Sequence, residues 1–387
     1  MQPLLRIERV VIDGAARDVL GSLGLPADVV DQWSRFNAPL IRTVLTARPG
    51  AGAGPGSEPW SGGEIVGAAI TVSRPLASYL RIGGIWVNGD GSGDAGSDRA
   101  DVARTLTETA EELAWESGHI VVKREYLADD PDWEMIEAPE FNGPIPDSTP
   151  RIASAQFKWR HRTGRSARPE PSTQPASSAS ARHASVPYMR QTTDFTCGTA
   201  TLSMLLVHRG LLDRLARDTE LALWRQATTI GACDPYGLAI AADGRGLQPR
   251  IVINTDDTLF LEDLKTEEDR ELKRFIQNGF KRQAADAGTR VERRTFEMEE
   301  LAQLVRGGGC ALVLVDELLV HDDRCPHWIL VHSMEDGCFI AHDPWTEVAQ
   351  GESWLDAYDI PLPPEALDRM AWTGAQPARA MIAFPRD

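Results

Sequence analysis

The chain has 387 residues, 42% of them hydrophobic and 25% charged, and 40 basic against 57 acidic side chains give a formal net charge of −17. This is the make-up of an ordinary globular protein, long enough for two domains of roughly 100–200 residues each. The acidic balance excludes a general nucleic-acid binder, which needs a clustered basic surface, and no run approaches the roughly 18 apolar residues of a membrane span.

Met1-Gln2-Pro3-Leu4-Leu5-Arg6 lacks the charged-then-apolar pattern of a secretory signal, so the expected compartment is the cytoplasm, with neither a nucleic-acid nor a membrane partner. Five cysteines, an odd number without a C-x-x-C pair, argue for free thiols rather than a disulfide framework.

In chain order, the Gly- and Pro-rich residues 48–63 read as a surface loop. Residues 64–73 and 79–87 read as strands joined by Arg74-Pro75, and the Gly- and Asp-rich residues 88–98 as a second loop. Val102, Leu106, Ala110, Leu113 and Ala114 recur at helical spacing over 99–117, Gly118 ends that helix, and 119–124 resumes as a strand. Residues 1–160 are thus expected to form an α+β domain, with Trp33, Trp60, Trp86, Trp115, Trp133 and Trp159 as core and rim residues. Residues 161–185, mostly Ser, Ala, Pro and Arg, offer little to bury and read as a flexible linker.

A second domain is expected over 186–387. Its apolar run from Cys197 predicts a buried helix ending near Gly210, followed by helices at 211–226 and 267–287 and strands at 311–315, 327–332 and 338–342. Glu335-Asp336-Gly337 between the last two is a hairpin turn.

Three pieces of this half carry chemistry: Gln191-x5-Cys197-Gly198, His327-Trp328 and Asp343-Pro344. A thiol attacks as its thiolate, and a helix start at Cys197 favours that form because the N-terminus carries partial positive charge. An imidazolium beside it would do the rest. Gly198 leaves room for substrate and lets backbone N–H groups face an oxyanion, to which Gln191 can also donate. His327 opens one strand and Asp343 closes the next, so a hairpin near Glu335 brings them side by side, although a one-residue shift in the turn changes their faces. A carboxylate that orients the base completes a nucleophile–base–orienter set. Singly, Cys197 is a small buried hydrophobe, His327 a strand residue, Asp343-Pro344 a turn and Gln191 unremarkable. The four together argue for catalysis.

The segments VPYMRQTTDFTCGTATLSML, PYGLAIAADGRG and HWILVHSMEDGCFIAHDPW together resemble the papain-like peptidase family that removes double-glycine leaders from bacteriocins, and more closely its stand-alone, transporter-free relatives. The resemblance covers roughly residues 186–382. It implies a papain-like fold with Cys197 as nucleophile, His327 as base, Asp343 as orienter and Gln191 in the oxyanion hole. Members fused to transporters carry membrane spans and an ATPase; this sequence has neither, so leader export is not implied. Thr199 stands where Pro often follows Cys-Gly and Thr196 where Asp is common, which leaves substrate preference open.

The first half resembles the GNAT acetyltransferase fold in the order of its strands, loop and helix, and SDRADVARTLTETAEELAWESGHIVV is similar to that fold's cofactor-binding helix and following strand. The family's R/Q-x-x-G-x-G/A loop cradles the coenzyme A pyrophosphate. Here Arg99 would start it, but Val102 and Arg104 occupy the glycine positions, and Asp90, Asp94, Asp98 and Asp101 add repelling charge. The resemblance is thus to a degenerate relative without cofactor, acting as a substrate- or partner-binding module.

Cys325, His327, Cys338, His332, His321 and His342 cluster in sequence without the spacing of a structural zinc site. Asp90-x-Ser92-x-Asp94 lacks the calcium-loop glycine, Ala95 holding that place. No metal and no cofactor are expected. The expected fold class is α+β, a papain-like cysteine peptidase domain preceded by a GNAT-like domain. The expected function is thiol-dependent cleavage of a peptide or amide bond through a Cys197 acyl-enzyme. The alternatives are acyl or peptidyl transfer to an amine or thioester carrier in peptide natural-product assembly, and a non-catalytic peptide binder. The expected partner is a peptide or acyl-thioester substrate, free or borne on a carrier protein.

Overall fold

The computed structural model describes residues 5–49, 64–89, 95–125, 130, 132–138, 154–161, 186–262, 264–374 and 376–386. Residues 50–63, 90–94 and 162–185, where two loops and the linker are expected, lie outside the described residues. The rest falls into two compact α+β units.

The first unit contains β1 (Leu5–Val11), α1 (Ala16–Ser22), α2 (Ala27–Trp33), β2 (Ile41–Pro49), β3 (Gly67–Ser73), β4 (Tyr79–Val87), α3 (Ala95–Glu116), β5 (Val121–Arg124), β6 (Glu134–Glu137) and β7 (Ser154–Trp159). The strands form one sheet in the order β1-β2-β3-β4-β5-β7-β6. Neighbours are antiparallel except β4 and β5, which are parallel because α3 crosses between them. Each sheet face carries its own core: Leu20, Trp33, Phe36, Val44 and Ile70 on one, and Leu45, Ala69, Leu80, Ile82, Leu106, Ala110 and Val122 on the other. Adjacent Val44 and Leu45 go to opposite cores, as the period of two requires.

The Gly83-Gly84 pair inside β4 marks a bulge: Ile70 faces Gly84, but Thr71 faces Ile82. A Cβ on Gly83 would lie 2.7 Å from the Phe36 ring, and one on Gly84 2.6 Å from Trp33 Nε1. Val102 and Arg104, at the would-be phosphate-loop positions, lie inside α3. There Val102 packs beside Gly67, and Arg104 pairs with Asp101 and Glu108 at helical spacing.

The first unit also takes in Glu347–Asp356, from far along the chain. Tyr79 and Arg81 of β4 and Lys123 of β5 alternate with the apolar residues that pack on α3, and all three receive this segment. Arg74 grips Glu352 bidentately at 2.8 and 2.6 Å. The Tyr79 hydroxyl donates to Asp356 at 2.7 Å, Arg81 pairs with Asp356 at 2.8 Å and with Glu125 at 3.0 Å, and Lys123 donates to the Leu355 carbonyl at 2.7 Å. Arg74, Arg81, Lys123, Glu352 and Asp356 are all buried, where ions are stable only if paired and hydrogen-bonded.

The second unit contains α4 (Cys197–His208), α5 (Arg217–Ala227), α6 (Pro235–Asp243), β8 (Arg250–Ile253), α7 (Glu267–Asp286), β9 (Arg290–Arg293), α8 (Met298–Arg306), β10 (Cys310–Asp316), α9 (Leu318–His321), β11 (Pro326–Glu335) and β12 (Cys338–His342). After the short α10 (Trp354–Ala357), most of which belongs to the first unit, come β13 (Ile360–Leu362), α11 (Pro364–Met370) and β14 (Ala380–Phe384). The sheet order is β13-β12-β11-β10-β14-β8-β9, antiparallel except for β8 and β9.

The helix expected at 211–226 starts only at Arg217. Gly210 closes α4 in the left-handed region at φ 70°, and the Leu211 N–H returns to the Leu206 carbonyl at 2.9 Å. Residue 211 is therefore spent on capping α4 and cannot open the next helix.

The PYGLAIAAD stretch forms α6, capped by the Asp234 carboxylate on the N–H groups of Tyr236 and Gly237 at 2.9 and 3.1 Å, with Pro235 in the first turn. A Cβ on Gly237 would sit 1.9 Å from the Ala227 carbonyl oxygen, which belongs to backbone and cannot swing aside. Gly237→Ala is therefore expected to destabilise the second unit by about 3 kcal/mol. Urea unfolding of the variant checks this, and a loss below about 1 kcal/mol would contradict the close approach.

Candidate active site

Cys197 opens α4, whose residues 197–206 are all buried. With no solvent face, its polar side chains bond back into the helix: Thr201 donates to the Cys197 and Gly198 carbonyls at 3.0 and 2.8 Å, and Ser203 to that of Thr199 at 2.7 Å. Gly198 serves a different end from the one expected. A Cβ there would lie 2.8 Å from Leu238 and 3.1 Å from Trp328, so glycine lets α4 sit against those side chains rather than clearing space for substrate. Trp328 is itself fixed by its indole N–H on the Cys233 carbonyl at 3.0 Å.

His327 and Asp343 come together through an irregularity in the hairpin. The turn is two residues, Asp336 and Gly337, both left-handed at φ 47° and 82°, and it sets Glu335 opposite Cys338. Continued without interruption, that register would place His327 on the face of His342, and Asp343 on the other. A bulge between Val331 and Ser333 shifts the pairing by one, so that Val331 faces Ala341. The odd-numbered residues of both strands then share a face. His327 donates from Nε2 to Asp343 Oδ1 over 2.7 Å, and the Trp345 N–H donates to the same oxygen at 2.8 Å.

Glu317, which no sequence spacing singles out, occupies the other edge of the ring, its Oε1 3.2 Å from His327 Nδ1. Burial alone would lower the imidazole's affinity for a proton. The charges of Glu317 and then Asp343, with hydrogen bonds to Asp343 and Cys197, outweigh it and hold His327 well above its ordinary value. Both carboxylates therefore favour the imidazolium form of the ring.

Gln191 is joined to this hairpin through its backbone N–H, which donates to the Pro344 carbonyl at 2.8 Å. Its side-chain Nε2 donates to Thr193 O at 2.8 Å, which leaves a second amide hydrogen for an oxyanion. Buried Glu220 fixes the same loop by accepting from the Thr192 N–H and hydroxyl at 2.9 and 2.6 Å. The four residues expected at the site thus lie in one unit, and all are buried: Cys197, Gln191, His327 and Asp343 are 3%, 3%, 4% and 6% exposed.

Among the described residues, two groups have ligand atoms near enough for a metal ion, Glu317-His327-Asp343 and His332-His342-Asp359. In the first, each carboxylate already engages a different ring nitrogen, and an ion on either would displace that contact. In the second, His342 Nδ1 accepts the Asp359 N–H at 3.1 Å and Nε2 donates to the Val186 carbonyl at 2.8 Å, so neither nitrogen is open.

This arrangement keeps His342 neutral, and burial followed by the neighbouring His332 pushes it down to about 4. The unfolded chain takes up that proton near pH 6.5 and the folded chain only near 4, so folding stability contributed by His342 is full above 6.5 and lost as pH falls. The expected loss is on the order of 3 kcal/mol between pH 6.5 and 4. Denaturant unfolding of the protein and of His342→Gln at both pH values checks it, the variant lacking this part of the acid sensitivity.

Residues 186–384 match the model of the Peptidase_C39 like family, just over half of the chain. The chain belongs to that family. Among solved structures it is similar to the peptidase domain of Streptococcus ComA, a bi-functional ABC transporter of a quorum-sensing pathway, at 16% identity over 51% of this chain and 97% of that one, with a TM-score of 0.27. A C39-like peptidase of Bacillus anthracis matches at 11% identity over 52% and 96% of the two chains, with a TM-score of 0.27. The GNAT family N-acetyltransferase YhbS of Escherichia coli matches at 14% identity over 41% and 84%, with a TM-score of 0.24. No curated protein matches the chain. Among the described residues no helix is long and apolar enough to cross a membrane.

Proposed function

We propose that this member of the Peptidase_C39 like family cleaves an amide bond through an acyl-enzyme on Cys197. The observation that carries the reading is the placement of one buried imidazole: His327 is held by Asp343 at 2.7 Å and interacts with Cys197, which helps to raise its proton affinity, with Cys197 in the first turn of a buried helix.

The chemistry follows from those contacts. The thiolate, stabilised by the imidazolium and the helix N-terminus, attacks the scissile carbonyl. The Gln191 amide and backbone N–H groups at the start of α4 receive the oxyanion. Nε2 stays on Asp343, so the proton for the leaving amine comes from Nδ1. Water then enters, gives its proton back to the imidazole, and releases the acid.

Asp343 orients the ring without touching the reacting carbonyl. Asp343→Asn is expected to lower turnover of p-nitrophenyl acetate, yet to be about a hundredfold milder than loss of the nucleophile. Steady-state rates of the two variants test this, and an Asp343→Asn enzyme as fast as the wild type would remove Asp343 from the set.

A further inference from the structure

Glu317 has no part in the scheme above, yet it lies at the edge of the imidazole where protons move. Nε2 is engaged by Asp343 at 2.7 Å, which leaves Nδ1 to exchange protons with the thiol and with the leaving or entering group. Glu317 Oε1 is 3.2 Å from that nitrogen.

The position is built into the sheet. β10 and β11 pair Val315 with His327 and Asp316 with Pro326, so residue 317 leaves the strand beside the base. Its backbone is pinned there: the N–H donates to the Cys325 carbonyl at 3.0 Å, and the carbonyl accepts from Val320 and His321 at 2.9 and 2.8 Å. Glu317 is buried, and three charged or titratable side chains come together around the ring: Asp343 after β12, Cys197 from α4 and Glu317 after β10.

Once Cys197 is acylated its negative charge is gone and the imidazole has given its proton to the leaving group, so two carboxylates face one neutral imidazole. The acylated site then carries two negative charges in excess. That excess favours an ammonium over a water molecule, the more so because the site is buried and poorly screened.

We infer that Glu317 is the amine-binding residue of this active site: its carboxylate receives the leaving amine during acylation and admits a primary amine, in preference to water, to the acyl-enzyme. The inference rests on the Cys197 acyl-enzyme and names the class of its second substrate. In the transfer step, R–NH3+ gives one proton to Glu317, which passes it to solvent. The neutral amine attacks the thioester carbonyl, forming the N–C bond and breaking the C–S bond. The remaining surplus N–H proton passes to Nδ1, and the imidazolium pairs again with the Cys197 thiolate. Departure of the amine in peptide cleavage is the same path reversed.

The test uses the full-length protein, p-nitrophenyl acetate as acyl donor and glycinamide as amine. A burst of p-nitrophenolate counts acyl-enzyme, and the ratio of N-acetylglycinamide to acetate gives the partition between amine and water. Glu317→Gln is expected to lower that ratio by about tenfold, since a charged hydrogen-bond partner is replaced by a neutral one. Glu317→Asp, which keeps a carboxylate, should retain most of the preference. A purely structural role would slow both fluxes alike and leave the ratio unmoved, and an unchanged ratio in Glu317→Gln overturns the inference. A Glu317→Gln protein that gives no burst would make the residue necessary for acylation itself, which also overturns it. Absence of a burst in the wild type would instead remove the acyl-enzyme reading, and this inference with it.

Discussion

Cys197→Ala is expected to slow p-nitrophenyl acetate turnover by at least about 10,000-fold, because a nucleophile has no substitute in a covalent mechanism. The substitution deletes one sulfur at the start of α4 and leaves the packing of Gly198 on Leu238 and Trp328 in place. Urea unfolding should therefore move by no more than about 1 kcal/mol. His327→Ala should cost activity on a similar scale, since residues acting as one unit are not additive. A Cys197→Ala protein that is folded and retains a tenth of the wild-type rate would refute the assignment.

The largest expected stability effect lies in the first unit. Arg81 is fully buried and pairs with Asp356 and Glu125 at 2.8 and 3.0 Å, and it also donates to the Ser353 hydroxyl at 2.7 Å. Arg81→Ala leaves buried Asp356 and half-buried Glu125 short of their partner, with an expected cost of about 3–5 kcal/mol. Denaturant unfolding followed by tryptophan fluorescence, with Trp33 buried in this unit, reads the loss. Because the cost is mainly that of unpaired charge, adding Asp356→Asn to Arg81→Ala should recover part of it. A loss under about 1 kcal/mol in the single variant would mean that the pairs contribute no more than a surface salt bridge does.

The parts of this molecule written in local signals were legible in the sequence. The strand expected at 79–87, after Arg74-Pro75, matches β4 to the residue. Asp336-Gly337 predicted the hairpin, and the apolar run after Cys197 predicted α4. The candidate site was legible as chemistry: Cys197, His327, Asp343 and Gln191 are residue types with few other reasons to recur together.

What was not legible depends on pairings between distant segments. The bulge at Val331–Ser333, which puts His327 and Asp343 on one face, has no glycine to announce it. Glu317 becomes visible only when Val315 is known to pair with His327. Glu352, Ser353 and Asp356 carry no local signal of their partners, because Arg74, Tyr79 and Arg81 are some 270 residues away. Gly198 was legible as a constraint, but its cause was packing on Leu238 and Trp328.

The central claim is that His327 activates Cys197. The most direct test is competitive alkylation with a limiting amount of iodoacetamide at pH 6.5, followed by peptide mapping of all five cysteines in the wild type and in His327→Ala. Burial drives the Cys233 thiol up and raises Cys310 to about 11, so both should stay unreacted, and partly exposed Cys325 serves as the accessible control. The account predicts that Cys197 is modified first in the wild type, ahead of Cys325, and that His327→Ala abolishes this lead. Labelling of Cys197 no faster than Cys325, or equally fast with and without His327, would contradict it.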